Sequence, residues 1–125
     1  VARVSVLVVL GVGVLGGLGT IARFLLDGAV MRRVGGAFPF GTLAVNLTGS
    51  VVLGVLAGAA LEGDAYRLWG IGLLGGYTTF STWMLESHRL AEDGRGRLAA
   101  VNVVGSVVLG VLAAWAGRHL GGGAP

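Results

Sequence analysis

The segment Gly75-Gly76-Tyr77-Thr78-Thr79-Phe80-Ser81-Thr82 lies in the middle of an otherwise apolar run. Two adjacent glycines favour a break in a helix, because glycine accepts backbone conformations that other residues avoid. A break at membrane depth frees backbone carbonyls, and irregular backbone is tolerated there only when it is buried or lines a cavity. Freed carbonyls can coordinate a cation. The two threonine hydroxyls offer the other outcome, a kink that they repair. Phe80 stands beside the break, and the edge of its ring carries partial positive charge. That edge can face an anion or simply pack.

A second set of polar residues is periodic. Thr42, Asn46 and Ser50 recur at every fourth position, which places them on one helix face. Asn102 and Ser106 repeat that spacing towards the C-terminus. Neutral amides and hydroxyls, with no carboxylate among them, suit a small anion that must shed its water. The same groups serve equally as glue between helices. Enzymatic chemistry finds no support. His88 and His119 lie near the ends of apolar runs and lack partners at metal-ligand spacing. Ser81 has no base that the sequence reveals. The Gly-x-Gly strings sit inside apolar runs, so a dinucleotide-binding loop fails its context.

The elements that must position these residues follow from composition. The chain has 125 residues, of which 54% are apolar and only 12% charged, with 25 glycines and no cysteine. An average soluble domain carries about 25% charged residues and about 7% glycine. The excess of one and the deficit of the other point to a membrane protein. Each membrane-spanning helix needs ~20 apolar residues, so four fit. We expect an all-α integral membrane protein, one domain over 1–125, with helices near 4–26, 39–61, 67–89 and 97–118 and the third broken near mid-membrane. The first run is read as a retained helix and not a signal peptide, because three more runs follow it. No run alternates with period two, which argues against a β-barrel.

Small residues spaced by four, such as Gly13 and Gly17, Gly54 and Gly58, and Gly72 and Gly76, let helix backbones approach closely in lipid. They serve packing within the chain or between chains. There is also an internal repeat. VNLTGSVVLGVLA from Val45 to Ala57 returns as VNVVGSVVLGVLA from Val101 to Ala113. The second and fourth helices therefore read as copies running in the same direction. Such repeats are common in transport proteins.

The net charge is +3, carried by nine arginines with no lysine. They lie between apolar runs and form no basic patch, so nucleic acid is not an expected partner. With four helices, Arg3, Arg67 and Arg118 share one side, and Arg23, Arg32, Arg33, Arg89, Arg95 and Arg97 the other. The positive-inside rule then places both termini outside.

In three places the chain resembles the Fluc family of fluoride channels, also called CrcB, and the likeness spans nearly its whole length. Gly16-Gly17-Leu18-Gly19-Thr20-Ile21-Ala22-Arg23-Phe24 is similar to that family's first-helix motif. Gly41-Thr42-Leu43-Ala44-Val45-Asn46 with Gly49-Ser50 is similar to its second-helix signature, and Gly75 to Thr82 to its third-helix break. The resemblance implies an antiparallel dimer of four-helix subunits in the bacterial plasma membrane. Such a dimer moves fluoride passively out of the cell and so relieves its toxicity. A structural sodium ion at the dimer centre would be held by the carbonyls of Gly75 and Thr78. On the fluoride path, Arg23 would line an aqueous vestibule, Asn46 would donate to the ion and Phe80 would offer a ring edge. Thr42, Thr79 and Ser106 would belong to a polar track, and Glu86 falls where the family tends to carry a glutamate. Where the family usually has a second phenylalanine stands Trp83, bulkier and with an N–H donor, which alters the pore it lines.

An antiparallel homodimer needs each chain to insert both ways, with little charge bias. The arginine bias here suggests instead one half of a heterodimer with a paired homologue. A small multidrug-type transporter is a rival, but it needs a membrane-embedded acidic residue, and the first run has none. A noncatalytic membrane assembly subunit is the other alternative.

Overall fold

In a computed structural model of the chain, which describes residues 3–124, the elements are all helical. Helix α1 spans Val6–Val34 and α2 Phe40–Gly58. The third region is composite: a short α3, Gly63–Tyr66, leads into a π-helical segment, Arg67–Leu74, then α4, Gly75–Tyr77, and after a break α5, Ser81–Glu92. Helix α6 spans Gly96–Leu120.

Ser5 caps α1, its Oγ accepting from the Val8 N–H at 3.2 Å. The helix runs eight residues beyond its expected end at residue 26. The charges of Asp27, Arg32 and Arg33 end the apolar run but do not break a helix. The stop is Gly35, at φ 64°, whose N–H bonds the Met31 carbonyl at 2.9 Å, a left-handed turn that favours glycine. Helix α1 is therefore ~44 Å long at 1.5 Å per residue, longer than the ~30 Å hydrocarbon core.

The expected break in the third region is real but displaced. Gly75 and Gly76 are helical, and the chain leaves the helix at Thr78, which is extended at φ −77°, ψ 157°. Gly76 is needed for a different reason. A Cβ there would collide with the backbone of Gly16 on α1. The glycine lets two backbones touch.

Two such contacts organise the fold. Along α1 and the third region, Gly19 lies against the Leu73 carbonyl and the Tyr77 N–H, and Gly72 against Val12. Along α2 and α6, Gly54 faces the Ala114 carbonyl, Gly58 faces Arg118, Gly117 faces Val51 and Gly121 faces Val55. In both pairs the facing residues advance together, so the partners run parallel. The two copies of the repeat pack on each other in the same direction, as expected. Gly54 faces a residue one turn beyond Gly110, its counterpart in the repeat. Close approach of this kind strengthens dispersion and admits weak Cα–H···O contacts.

The outside is apolar. In α1 and α6, only 11% of the most apolar stretch is buried within the chain, and Leu7, Val14, Phe24, Val104 and Val111 lie exposed. Such a surface belongs in lipid or against another chain. Three helices, α1, α2 and α6, are each long and apolar enough to cross a membrane, and the chain is a membrane protein. Its third region is the interrupted one.

Overpacking a tight contact typically costs about 1–3 kcal/mol. Gly54→Val is expected to lower the thermal midpoint in detergent by a corresponding amount. Gly13→Ala, where an added Cβ meets nothing within 4 Å, should leave it unchanged.

Candidate functional site

The break is built on one side chain. Asn46, on α2, donates from Nδ2 to the Thr79 carbonyl at 2.9 Å and accepts the Thr79 N–H on Oδ1 at 2.9 Å. Its amide copies a strand's pairing and satisfies both backbone groups of the residue in the gap. Unsatisfied, each would be costly in lipid. Thr79 then starts the next helix: its Oγ1 accepts the Thr82 N–H at 3.2 Å, the bond of an N-cap.

These two bonds decide which carbonyls are released. In an unbroken helix the Thr79 N–H would bond Gly75 and the Thr82 N–H would bond Thr78. Both donors are turned elsewhere, so the Gly75 and Thr78 carbonyls lose their helical partners. Gly76 is treated differently, its carbonyl accepting from Thr20 Oγ1 at 3.2 Å. Thr78 Oγ1 folds back onto the Leu74 carbonyl at 2.9 Å.

Gly75 and Thr78 border a cavity of about 390 Å³ that Asn46, Ser50, Thr79, Phe80 and Trp83 also line. A second cavity, of about 310 Å³, is lined by Arg23, Asp27, Thr42, Thr79 and Thr82. Thr79 borders both, so the residue that Asn46 clamps is shared by the two cavities. Among the described residues, no carboxylate lies within ion-pair distance of Arg23; the ion pairs are Arg67–Asp64 and His88–Glu92. The Arg23 guanidinium is thus left for solvent or an anion. The buried Thr42 donates to Glu86 at 2.5 Å, tying α2 to the far half of the third region.

The aromatic pair is held from the other side. Phe80 is 70% exposed, and its ring meets that of Trp83 nearly edge-on, with centroids 5.5 Å apart at 82°. The Trp83 N–H is not free for an anion. It donates to the Asn102 carbonyl on α6 at 3.1 Å. The Asn102 side chain, 1% exposed, donates to Ser87 Oγ at 2.8 Å. The repeat thus acts twice. Asn46 grips the break from α2, and its counterpart Asn102 grips α5 from α6.

Asn46, Thr79, Phe80, Trp83, Gly75 and Thr78 are brought together, and Arg23 and Thr42 meet them across Thr79. Glu86 lies beside Arg89 and Asp93 in a separate pocket, linked to the cluster through Thr42. Ser106 is not in the cluster. It borders an apolar groove between α2 and α6, with its hydroxyl 3.4 Å from Asn102 Oδ1. Thr20, Asp27 and Ser87 went unsingled by sequence reasoning. Asp27 fell just beyond the expected end of the first helix, and the structure places it on α1, against Gly41.

Fold and site together define a membrane-spanning helical protein with a backbone break bordered by neutral polar side chains, and with Arg23 on the wall of the neighbouring cavity. The family model described as CrcB-like protein, Camphor Resistance (CrcB), matches residues 10–118. The fluoride-specific ion channel FluC 2 of Mycobacterium tuberculosis is 52% identical over 116 residues, covering 93% of this chain and 92% of that protein. FluC 1 of Symbiobacterium thermophilum is 45% identical, covering 90% and 95%, and FluC of Geobacter sulfurreducens 45%, covering 87% and 92%. The chain belongs to the CrcB family.

Asn46→Ala strands a donor and an acceptor at the break, each costing about 1–3 kcal/mol. It should lower the melting midpoint more than Trp83→Phe, which removes one hydrogen bond worth about 0.5–1.5 kcal/mol. Melts of both variants in one detergent compare them directly.

Proposed function

We propose that this chain is one subunit of a channel that lets fluoride leave the cell passively. The observation that carries this reading is the clamp of Asn46 on Thr79. It opens a cavity whose wall combines neutral donors, an aromatic pair and two released carbonyls, in a chain about half identical to proteins named as fluoride channels. Fluoride is small and strongly hydrated, so a path must replace its water. Neutral donors do so without holding the ion too tightly to release it. In this reading Arg23 draws anions into the vestibule. The second Asn46 N–H gives them a donor, Thr42 and Thr79 join the track by exchanging the hydroxyl bonds they make to Glu86 and Thr82, and Phe80 and Trp83 present ring edges. Ser106 would join the track only through another subunit's geometry, and Glu86 acts by fixing Thr42.

A second subunit is part of the proposal. Gly75 and Phe80 lie on the exposed side of the break, a poor surface to leave in lipid. Two antiparallel copies would cover it and bring the Gly75 and Thr78 carbonyls of both into one group. Neutral, hard oxygens are a suitable donor set for sodium, and such an ion would offset the charge of an anion in a low-dielectric path. Whether the second subunit is a copy or a paired homologue bears on the arginine bias. Arg23 lies within α1 and borders a cavity with Thr42 and Thr79, so in this reading it is discounted as a loop charge, and the bias softens to five against three. The heterodimer reading rests on that remainder.

Fluoride efflux from liposomes tests the proposal, using the chain alone and the chain with a paired homologue. Flux is expected in at least one arrangement, and Asn46→Asp and Phe80→Ile should each reduce it by about tenfold or more, the effect of ~1.4 kcal/mol on the barrier. Unchanged flux in both variants would reject these pore residues. A chain silent in both arrangements would favour an assembly subunit, and a robust homodimeric channel would remove the case for a heterodimer.

A further inference from the structure

The groove that Ser106 borders lies outside the cluster just described. It has a volume of about 340 Å³ and is lined by Phe38 just before α2, by Phe40 and Leu43 in its first turns, and by Leu98, Val101 and Leu109 along α6. Its lining is apolar except for Ser106, whose hydroxyl is turned to Asn102. At its middle, Gly105 leaves open space, since a Cβ there would meet nothing within 4 Å. From Leu98 to Leu109 the groove runs ~17 Å along α6 at 1.5 Å per residue. That is close to half of the ~30 Å hydrocarbon core, the depth of one leaflet.

One end of the groove is charged. Helices α2 and α6 are parallel, so both start at this end. Arg95 and Arg97, both exposed, stand at the first turn of α6, next to Leu98. Arg32 and Arg33 close α1 at the same end, and Arg89 is on α5. Among the described residues none of these five arginines is in an ion pair. The exposed acids at this end are Glu92, which faces His88 at 3.2 Å, and Asp93. The balance is strongly positive where a membrane has its phosphates.

We infer that this groove is a binding site for an anionic phospholipid, one acyl chain lying between α2 and α6 and the headgroup phosphate on Arg95 and Arg97. Charge and length together select this occupant. A single-leaflet chain fills the apolar part, and clustered arginines at the interface recognise an anionic headgroup over a zwitterionic one. Of the groove's lining only Ser106 is shared with the proposed ion path, and the lipid contacts argued here, on Gly105, Arg95 and Arg97, do not depend on what the cavity conducts.

Native mass spectrometry of the detergent-purified protein tests it, with phosphatidylglycerol and phosphatidylcholine of identical chains supplied in competition. The protein should retain phosphatidylglycerol preferentially. With two arginines at the surface the preference should be roughly thirtyfold. Arg95→Gln with Arg97→Gln should abolish the preference, and Gly105→Leu, which fills the groove, should abolish retention of both lipids. Equal retention of the two lipids by the unaltered protein, or retention unaffected by Gly105→Leu, would overturn the inference. Because the chain has no cysteine, Val101→Cys reports on the other occupant. Efficient disulfide cross-linking of two chains through it would show a second copy covering the groove and would also overturn the lipid site.

Discussion

A backbone that leaves its helix inside a membrane exposes amides and carbonyls that no water can satisfy. In this protein that constraint is met by one carboxamide, and much of the polar interior follows from the solution. Asn46 takes both backbone groups of Thr79. Thr79 can then cap α5, and the donors that would have served Gly75 and Thr78 are redirected. The released carbonyls are therefore a product of the clamp. A hydroxyl in place of the amide could donate or accept at Thr79 but could not span both groups in the same planar arrangement.

Around this point the chain is built from two parallel pairs in which glycine sets the spacing. α1 lies against the π-helical segment and α4, and α2 lies against α6. Lipid provides no hydrophobic drive for helices to associate, so close packing and hydrogen bonds must hold them together. The glycines permit contact at backbone distance, and the two asparagines of the repeat add directional bonds, Asn46 to Thr79 in the break and Asn102 to Ser87 on α5. The break is thus fixed by neighbours on each side and needs no rigidity of its own.

Much of this was legible in the residues. The apolar runs marked the spans, the repeat marked parallel copies, and the four-residue polar stripe marked the face that meets the break. Two features were not legible for definite reasons. The end of α1 was hidden because charge ends a hydropathy run without ending a helix, and only the positive φ of Gly35 does that. The break was expected at Gly75-Gly76 because glycine permits a break. Here the glycines answer to α1, and the departure falls where Asn46 is placed to receive it. That is a relation between residues 33 positions apart, which local pattern does not carry. The same holds for Trp83. Its indole N–H read as a free donor, whereas the Asn102 carbonyl takes it.

The two asparagines also differ in when they become available. A membrane chain is made and inserted from its N-terminus. Asn46 is already in the bilayer when residues 75–82 arrive, so the most exposed backbone meets its partner on entry. Asn102 follows later, and until α6 is inserted the Trp83 N–H and the Ser87 hydroxyl lack the contacts that anchor α5. The duplicated motif thus divides biogenesis into an early rescue of the gap and a late fastening of the segment beyond it. A nascent chain halted before α6 would hold a gap already shielded and an aromatic pair still loose.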